Sequence, residues 1–266
     1  MSLPPDADWL GLCRRAAASA RSAVADLTTR AARSVEEGVG EGGDTTLAVD
    51  LAAEDAIFAE LHACEAPLVA VSEERGEVAI NGGGGGVRVV IDPVDGSMNA
   101  KRGLPFACVC IAVADGHRVG DVEVGYVAEL DPPRDWWAVR GEGAFLDGRR
   151  LEELRHGPLE VLGLETVRPS LAAAATDAIA ATEARRLRAL GSVAASMCLV
   201  AAGRLDAMVT LRAVRSVDVA AAGLIVSEAG GAVLLPDGDA LDLEMRSRAV
   251  AARSQELAER VLRSFG

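Results

Sequence analysis

Apolar positions recur every three or four residues at the start of the chain, a spacing typical of an amphipathic helix. Between Asp8 and Arg33 these positions are Leu10, Cys13, Ala17, Ala20, Val24 and Leu27. A glycine-rich break covers residues 38–44, and the alanines and acidic residues after it predict a second helix, Asp50–His62. The pattern therefore predicts two helices joined by a loop.

Short apolar stretches separated by Gly, Pro and Asp predict a sheet in the middle of the chain. The predicted strands are Leu68–Val71, Val87–Ile91, Phe106–Ala114, Val122–Val127 and Trp136–Arg140. The run Asn81–Gly86 lies between two of them and is interpreted as a flexible connector, because a phosphate-binding loop would need a following Lys-Ser/Thr and a helix. These strands are expected to form a meander.

The C-terminal part alternates helical and strand patterns, as layered α/β proteins do. The predicted helices are Pro169–Thr182, Ala194–Ala202 and Val217–Ala229, and the predicted strands are Val161–Leu164, Leu205–Leu211 and Ala232–Leu235. No linker is long enough to free one half of the chain from the other. We therefore expect an α/β protein with two subdomains, residues 1–150 and 151–266, that share a cleft.

Composition narrows the classes of function. The 266 residues are 50% hydrophobic and 25% charged, which is globular, and the formal charge of −13 disfavours binding to nucleic acid. An anionic substrate would need metal ions or a few arginines to offset the surrounding carboxylates. The start of the chain lacks the features of a signal peptide, and no apolar run is long enough to span a membrane.

The cysteines indicate a reducing environment. Cys13, Cys64, Cys108, Cys110 and Cys198 are scattered, odd in number and lack the paired spacing of a zinc site. Two of them, Cys108 and Cys110, would share one face of a strand and are interpreted as core thiols. We therefore expect a cytoplasmic protein without a membrane or nucleic-acid partner.

The segment DPVDGSMN, residues 92–99, contains the most informative group of polar residues. Asp92 and Asp95 directly follow an apolar strand, and the proline and Gly96 allow a tight turn that directs both carboxylates and one carbonyl toward a single point. Such oxygen ligands suit a hard cation. The amides of Gly96 and Ser97 could meet a phosphate oxygen, and the Ser97 hydroxyl could orient a water. The alternative is an ordinary Asp-Pro/Asp-Gly turn.

Other acidic residues strengthen the metal hypothesis. Glu73 and Glu74 follow a predicted strand, where adjacent acids are costly unless cations compensate them. Asp218 opens a strongly apolar helix, and Asp50 begins another. Each has a simpler interpretation, because an acid at a helix start is favoured by the helix dipole or as an N-cap. It is the combination that points to a metal site.

Three segments resemble the signatures of the inositol monophosphatase family. They are SEE at 72–74, DPVDGSMN at 92–99 and SVDVAAAGLIVSEAGG at 216–231, in the order and spacing of the family. DTTLAVD at 44–50 and GSVAASMCLVAAGRLDA at 191–207 are also similar to family segments, so the resemblance covers most of the chain. It is strongest to the branch acting on both inositol monophosphate and fructose 1,6-bisphosphate, and it implies an αβαβα sandwich and a homodimer.

The resemblance also implies a set of Mg²⁺ ligands, with two or three ions at each site. One ion would be held by Glu73, Asp92 and the carbonyl of Val94. The second would be held by Asp92, Asp95 and Asp218. Such two-metal sites activate a water and stabilise the leaving oxygen of an in-line displacement. Glu74 would either support the residues that bind these ions, without binding them itself, or bind a third ion.

The same resemblance assigns catalytic roles and substrate contacts. Glu73, Ser97 and Asp50 would be catalytic, with Ser97 orienting the attacking water and Asp50 paired with its hydroxyl. The substrate would contact residues of two turns and two arginines, namely Asp95, Gly96, Ser97, Gly191, Ser192, Arg212 and Arg215. The two arginines have a simpler alternative, a surface ion pair.

Departures from the family pattern bear on the substrate. Val217 replaces a common tryptophan and Ser97 replaces a common threonine, and both changes leave the ligands and the hydroxyl in place. Thr210 stands where inositol-specific members carry a glutamate, so strict inositol specificity is not expected. The nearby arginines favour a bidentate grip on a second phosphate.

The sequence thus predicts a Mg²⁺-dependent phosphomonoesterase for small phosphate esters such as inositol monophosphate or fructose 1,6-bisphosphate. A second possibility is a phosphatase for adenosine bisphosphate or NADP, although 3% aromatic residues offer few rings to stack a base. A third is a non-catalytic metal-binding relative. That hypothesis expects a lost ligand or hydroxyl, and neither is lost.

Overall fold

A computed structural model describes residues 3–4, 7–43, 45–83 and 86–266. Its helices are α1 (Trp9–Asp26), α2 (Arg30–Arg33), α3 (Ala48–Ala63), α4 (Ser97–Arg102), α5 (Pro169–Ala174), α6 (Thr176–Ala181), α7 (Val193–Ala201), α8 (Ser216–Glu228) and α9 (Gln255–Ser264). Residues 84 and 85 of the expected glycine connector, residue 44 of the first glycine-rich break and part of the N-terminal segment lie outside the described residues.

The strands form three sheets. In chain order they are β1 (Glu36–Val39), β2 (Thr45–Leu47), β3 (Leu68–Ser72), β4 (Gly76–Ile80), β5 (Val87–Asp95), β6 (Cys108–Asp115), β7 (Val122–Glu129), β8 (Arg134–Val139), β9 (Gly143–Leu146), β10 (Arg149–Arg150), β11 (Val161–Glu165), β12 (Arg186–Arg188), β13 (Ala207–Thr210), β14 (Ala232–Leu234) and β15 (Val250–Ala252). β1 and β2 form a separate hairpin.

The two large sheets and the helices stack in five layers. α1 and α3 pack on one face of the eight-stranded sheet, whose order is β10-β9-β8-β7-β6-β5-β3-β4, and α7 and α8 pack on its other face. The same two helices contact the five-stranded sheet, ordered β12-β11-β13-β15-β14, and α9 covers the far side of that sheet. The expected αβαβα sandwich is confirmed. None of the described helices is both long enough and apolar enough to cross a membrane.

The central position of α8 explains its composition. A helix between two sheets must be apolar on nearly all sides, and α8 buries a nearly continuous run of residues from Ser216 to Val226. It also lies very close to the eight-stranded sheet. A Cβ atom on Gly125 of β7 would lie 2.4 Å from the carbonyl oxygen of Ala221, so only glycine fits at that crossing.

Several expected boundaries were wrong. The single helix expected over Asp8–Arg33 is divided, because α1 ends at Asp26 and Thr29 caps the short α2 with its hydroxyl. The helix expected over Pro169–Thr182 is divided at Ala175. β4, β15 and α9 were not expected. Strands β14 and β15 are each only three residues long, so their pairing is decided by the sheet around them.

The predicted boundary after residue 150 falls between the two large sheets. β10 ends at Arg150, and β11 of the other sheet begins at Val161. Side chains of both sheets nevertheless join one buried apolar cluster around α7 and α8, which includes Trp136 of β8 and Met208 of β13. The division into two subdomains stays a prediction.

Candidate active site and metal centre

The pairing of β3 with β5 brings two acidic segments together. The two strands are parallel, with Ser72 opposite Ile91. Their carboxyl ends therefore lie at the same edge of the sheet, and the Glu73 amide donates to the Ile91 carbonyl over 3.3 Å. As a result, Glu73 and Asp92 lie side by side although 19 positions separate them in the sequence.

An irregularity in β5 turns both aspartates of the DPVD segment to one face. Residues three apart on a regular strand point to opposite faces. Here Asp92 pairs with Cys110 and Asp95 with Cys108, so three steps on β5 match two steps on β6. Such a β-bulge adds one residue to the strand and re-aims the following side chain. Both carboxylates therefore lie on the face that α7 and α8 cover.

Two further acids enter the site from the first turns of helices. Asp50 and Asp218 are each the third residue of their helix, α3 and α8, rather than the N-cap that was considered for Asp50. Asp50 Oδ2 accepts from the Leu47 amide over 2.9 Å, and Asp218 Oδ2 accepts from the Arg215 amide over 2.7 Å. One oxygen of each acid thus fixes the start of its helix.

Glu73, Asp92 and Asp218 form a cluster that could hold a metal ion. One carboxylate oxygen of each lies within 4.8 Å of the others. Burial raises the pKa of Glu73 to about 8, with Arg215 opposing and Asp218 adding to the shift. Burial, followed by the charges of Glu73 and Asp95, raises the pKa of Asp92 well above its usual range. An all-oxygen set whose charges repel one another fits a hard divalent cation such as Mg²⁺.

A hydroxyl lies at the rim of this cluster, at the start of α4. Ser97 Oγ is 2.8 Å from Asp50 Oδ1 and 2.9 Å from the Val94 carbonyl oxygen. Because a hydroxyl has a single proton, it satisfies only one of these acceptors at a time. Burial raises the pKa of Asp50 to about 6, so near neutral pH Asp50 is ionised and is the stronger acceptor.

Asp95 is tied to the start of α7. Its Oδ2 accepts from Ser192 Oγ over 2.7 Å and from the Ala194 amide over 2.6 Å, and its Oδ1 accepts from the Val193 amide over 3.3 Å. A helix N-terminus favours negative charge. Burial and the charge of Asp218 nevertheless raise the pKa of Asp95 to about 7. This aspartate therefore connects the acid cluster with the turn at Gly191 and Ser192.

Comparison with known proteins gives this geometry a family. The model of the inositol monophosphatase family matches residues 10–266. This chain belongs to the inositol monophosphatase family. Its enzyme class is therefore that of a phosphatase.

This family member resembles one relative over nearly its full length and one solved structure in its fold. A "Fructose-1,6-bisphosphatase/inositol-1-monophosphatase" of Methanothermobacter thermautotrophicus is 34% identical over 97% of this chain and 96% of its own. A crystal structure of an inositol monophosphatase-fructose 1,6 bisphosphatase superimposes with a TM-score of 0.81 at 27% identity, over 97% of this chain and 100% of its own. A "Bifunctional NADP phosphatase/NAD kinase" of Methanococcus maripaludis is 29% identical over 84% of this chain but only 43% of its own.

Two glycines shape the turns on either side of Asp95 in this phosphatase. Gly96 has φ +92°, and a Cβ there would lie 2.7 Å from the Phe106 carbonyl oxygen. Gly191 has φ +83°, and its amide donates to Glu165 Oε2 over 2.9 Å. Both turns therefore need glycine, and both line the cleft. The role of Glu165 was not predicted, although an acid at a strand end was a usable signal.

The arginines of this phosphatase divide into two groups. Arg215 is largely buried, and its guanidinium lies 2.5 Å from Glu73 Oε1 and donates to the Gly42 carbonyl over 3.0 Å. It therefore bridges the loop after β1 and the acid cluster. A cavity of about 570 Å³ next to the cluster is also lined by three exposed arginines, Arg168, Arg212 and Arg246. Arg246 was missed because nothing in its sequence surroundings marks it.

Glu74 and Thr210, which the sequence analysis also named, lie in different surroundings. Glu74 accepts a hydrogen bond from the Thr46 hydroxyl at the acid end of the cleft, a space of about 470 Å³. Thr210 is fully buried, and its hydroxyl accepts from the Ala249 amide over 3.0 Å. Arg186 and Arg188 lie on the exposed strand β12. Thus Thr210 is held by the sheet, and Glu74 lies at the cleft.

Proposed function

We propose that this phosphatase hydrolyses phosphate monoesters of small soluble alcohols with Mg²⁺ as cofactor. One observation carries the proposal. The Ser97 hydroxyl is hydrogen-bonded to the buried Asp50 at the rim of a cluster of carboxylates that could hold a metal. A structural cation site would have no use for a hydroxyl and a base at that point.

Mg²⁺ ions would be held by the residues that the family resemblance implied. Glu73, Asp92 and the Val94 carbonyl would hold one ion, and Asp92, Asp95 and Asp218 a second, with Glu74 near a third or outside the ligands. The Asp92 Oδ1 atom accepts from the Val94 amide over 3.0 Å, which fixes the turn between these ligands. When bound, the ions would neutralise charge on the phosphoryl group and make water a stronger acid.

Ser97 and Asp50 would direct the attacking water. With Asp50 ionised, Ser97 donates its proton to Asp50 Oδ1, so a lone pair of Ser97 Oγ can accept a proton from water. The water oxygen then attacks phosphorus opposite the ester oxygen. The water's proton passes to Ser97, the Ser97 proton passes to Asp50, and the departing alcohol takes a proton from solvent. Glu73 would act through the ion that it holds, and the amides at the start of α4 would hold the phosphate in line with that water.

The cleft supports a substrate with more than one anionic group. Exposed Arg212, Arg168 and Arg246 line the cavity beside the acid cluster, where a second phosphate of a sugar bisphosphate would lie. The amides of Gly96 and Ser97 would meet the phosphate at the cluster. When a cation binds beside Glu73 and takes the place of Arg215 there, Arg215 would contact the substrate.

A phosphatase for NADP or adenosine bisphosphate is the second candidate, and the Methanococcus maripaludis relative favours it. Base recognition commonly uses aromatic stacking. Among the described residues that line the two parts of the cleft, none is Phe, Tyr or Trp. A sugar or inositol phosphate therefore remains the main proposal.

The expected setting is cytoplasmic and homodimeric. The described cysteines are all free thiols, which suits a reducing compartment. Exposed apolar side chains near the cleft, including Met98, Leu104 and Val167, offer contact area for a second copy. The net charge of −13 supports a small phosphate ester as partner and disfavours nucleic acid.

The experiment is phosphate release from inositol 1-phosphate, fructose 1,6-bisphosphate and NADP, with and without Mg²⁺. We expect turnover that requires Mg²⁺ and that falls at least about 10³-fold in Asp92→Asn, because that change removes a shared metal ligand. Asp55→Asn, an exposed acid on α3, is the matched control. Equal turnover in Asp92→Asn and Asp55→Asn would contradict the proposal.

A further inference from the structure

Two thiols lie directly behind the acid cleft. Cys108 and Cys110 are two residues apart on β6 and are fully buried. They pair with Asp95 and Asp92 across the bulge in β5, so all four side chains are on the face covered by α7 and α8. The mechanism above makes no use of either thiol.

Cys108, Cys110 and Asp95 have the spacing of three metal ligands. Cys108 Sγ is 4.0 Å from Cys110 Sγ and 4.0 Å from Asp95 Oδ2, and one ligand atom of each residue lies within 4.8 Å of the other two. Tetrahedral zinc with Zn–S bonds of about 2.3 Å places two sulfurs about 3.8 Å apart. Shifts of a few tenths of an ångström would therefore bring these thiols to bonding positions.

The strand geometry disfavours a disulfide between Cys108 and Cys110. Strand geometry separates Cα atoms two residues apart by about 6.6 to 6.8 Å. The longest common Cα separation in disulfides is about 6.8 Å. The pair is at this limit and lies on a strand hydrogen-bonded on both sides, so the strand would have to distort. A metal ion bridges the same sulfurs without that distortion.

We propose that Asp95, Cys108 and Cys110 form a binding site for a thiophilic divalent cation such as Zn²⁺ or Cd²⁺. The ion would gain two thiolates and one carboxylate, and the two thiol protons would leave to solvent. The Ser192 hydroxyl, 3.4 Å from Cys108 Sγ, borders the fourth side. Sulfur ligands select Zn²⁺ and Cd²⁺ over Mg²⁺, so the site is distinct in its choice of ion from the all-oxygen cluster.

This site would act on the active site through a shared carboxylate. Asp95 and Ser192 both line the cleft, which gives an ion a route from the substrate side. Because the proposed function uses Asp95 as a Mg²⁺ ligand, an ion bound to the thiols would draw that carboxylate away. Zn²⁺ is therefore an inhibitor that acts from behind the catalytic centre and competes with Mg²⁺ for Asp95.

The first test is spectroscopic and does not depend on activity. The full chain is titrated with Cd²⁺, and the thiolate-to-Cd²⁺ charge-transfer absorbance is recorded. The wild type should bind one Cd²⁺ per chain with this band, and the C108A/C110A double variant should lose it. Cys13→Ala, a buried thiol in the apolar cluster under α1, should keep it. A band that persists in the double variant, or that is absent from the wild type, overturns the proposal.

A single conservative variant keeps the test decisive if the double variant does not fold. Cys110→Ser retains a side chain of similar size and removes one thiolate, and circular dichroism establishes its folding. The charge-transfer band should fall to about half or less per bound Cd²⁺. An unchanged band in a folded Cys110→Ser protein overturns the site.

The second test is inhibition, and it rests on the proposed function. Phosphate release is measured at saturating Mg²⁺ with buffered Zn²⁺, and each variant is compared with its own uninhibited rate. The Zn²⁺ concentration for half-inhibition should rise at least tenfold in C108A/C110A and stay unchanged in Cys13→Ala. Equal sensitivity of wild type and double variant overturns the inhibitory role. Absence of phosphatase activity beside an intact Cd²⁺ band would instead reject the proposed function and leave the site standing.

Discussion

At the scale of single residues, the chemistry depends on where one proton lies. Ser97 Oγ has two acceptors within 2.9 Å, Asp50 Oδ1 and the Val94 carbonyl oxygen. If Asp50 is ionised, the proton goes to the carboxylate and the Val94 carbonyl keeps both lone pairs. In the proposed mechanism, Asp50 thus prepares both the hydroxyl that would orient water and the carbonyl that would bind a metal ion.

Ser97→Ala should lower kcat by about 10²- to 10⁴-fold and change KM much less, because the proton path is lost while the phosphate contacts remain. Ser97→Thr keeps the hydroxyl and should retain kcat within about tenfold. Steady-state kinetics at saturating Mg²⁺ measure both. A Ser97→Ala enzyme as active as Ser97→Thr would show that water is oriented by other groups.

At the scale of elements, the bulge in β5 and the turn after it shape the site. The bulge places Asp92 and Asp95 on one face, and Gly96 then reverses the chain into α4 with φ +92°. The turn is packed against the segment that leads into β6, because a Cβ on Gly96 would lie 2.7 Å from the Phe106 carbonyl oxygen. Both a positive φ and a close approach therefore require glycine here.

Gly96→Ala should destabilise the protein more than Gly230→Ala. Both residues have a similar positive φ, +92° and +86°, which costs alanine about 1 to 2 kcal/mol, but no described atom lies within 4 Å of a Cβ on Gly230. Gly230→Ala should lower Tm by about 3 to 6 °C. Gly96→Ala should lower it further and reduce turnover.

Thermal unfolding and phosphate release check this pair of variants together. Equal losses of Tm in Gly96→Ala and Gly230→Ala would mean that the segment at Phe106 moves to make room for the new Cβ without a cost in stability. Full turnover in a destabilised Gly96→Ala protein would mean that the turn does not position the phosphate.

At the scale of the whole molecule, the fold holds a set of carboxylates that it cannot stabilise by itself. Burial raises the pKa of Asp50 to about 6, of Asp95 to about 7 and of Glu73 to about 8. Arg215 is the cation shown beside the cluster, and it pairs with Glu73. The metal-free protein therefore retains protons on groups that the unfolded chain releases near pH 4.

Without divalent cations, stability should fall as pH rises from 5 to 8. The folded state binds more protons than the unfolded state in this range, so the free energy of unfolding decreases with pH. The stabilisation is complete below the unfolded pKa values near 4 and is lost as pH passes through the folded values near 6, 7 and 8. Mg²⁺ should raise Tm more at pH 8 than at pH 5.5.

The variant Asp95→Asn tests the same explanation, because it removes one of the buried acids whose pKa is raised. At pH 8 without metal, its Tm should exceed that of the wild type by about 5 °C, because a buried charge is removed while the asparagine oxygen still accepts from Ser192 and Ala194, at the cost of the long contact with the Val193 amide. Mg²⁺ should stabilise this variant less than the wild type. Differential scanning calorimetry in a chelator and in Mg²⁺ measures both. A wild-type Tm that rises from pH 5 to pH 8 in the chelator would contradict this account.

The sequence by itself determined the longer elements and brought out the acidic residues of the proposed site. Strong periodicity predicted α1, α3, α7, α8 and five strands of the eight-stranded sheet, since burial of one face requires those patterns. The expected meander was wrong at one point, because β3 pairs with β5 in parallel. The DPVDGS segment, the paired Glu73 and Glu74 and the acid opening α8 indicated an oxygen-ligand metal site. These are local signals, because a strand end or a first helical turn can be recognised from a few neighbouring residues.

Only the tertiary structure decided which distant groups meet. The parallel pairing of β3 with β5 set Glu73 beside Asp92, and the bulge turned Asp95 toward both the cleft and Cys108. Arg246 joined the cleft through a loop that carries no periodic pattern, and Glu165 joined it from the end of β11. The physical reason is that register and bulges depend on strand pairing across the whole sheet, and the sequence near a residue contains no record of that pairing.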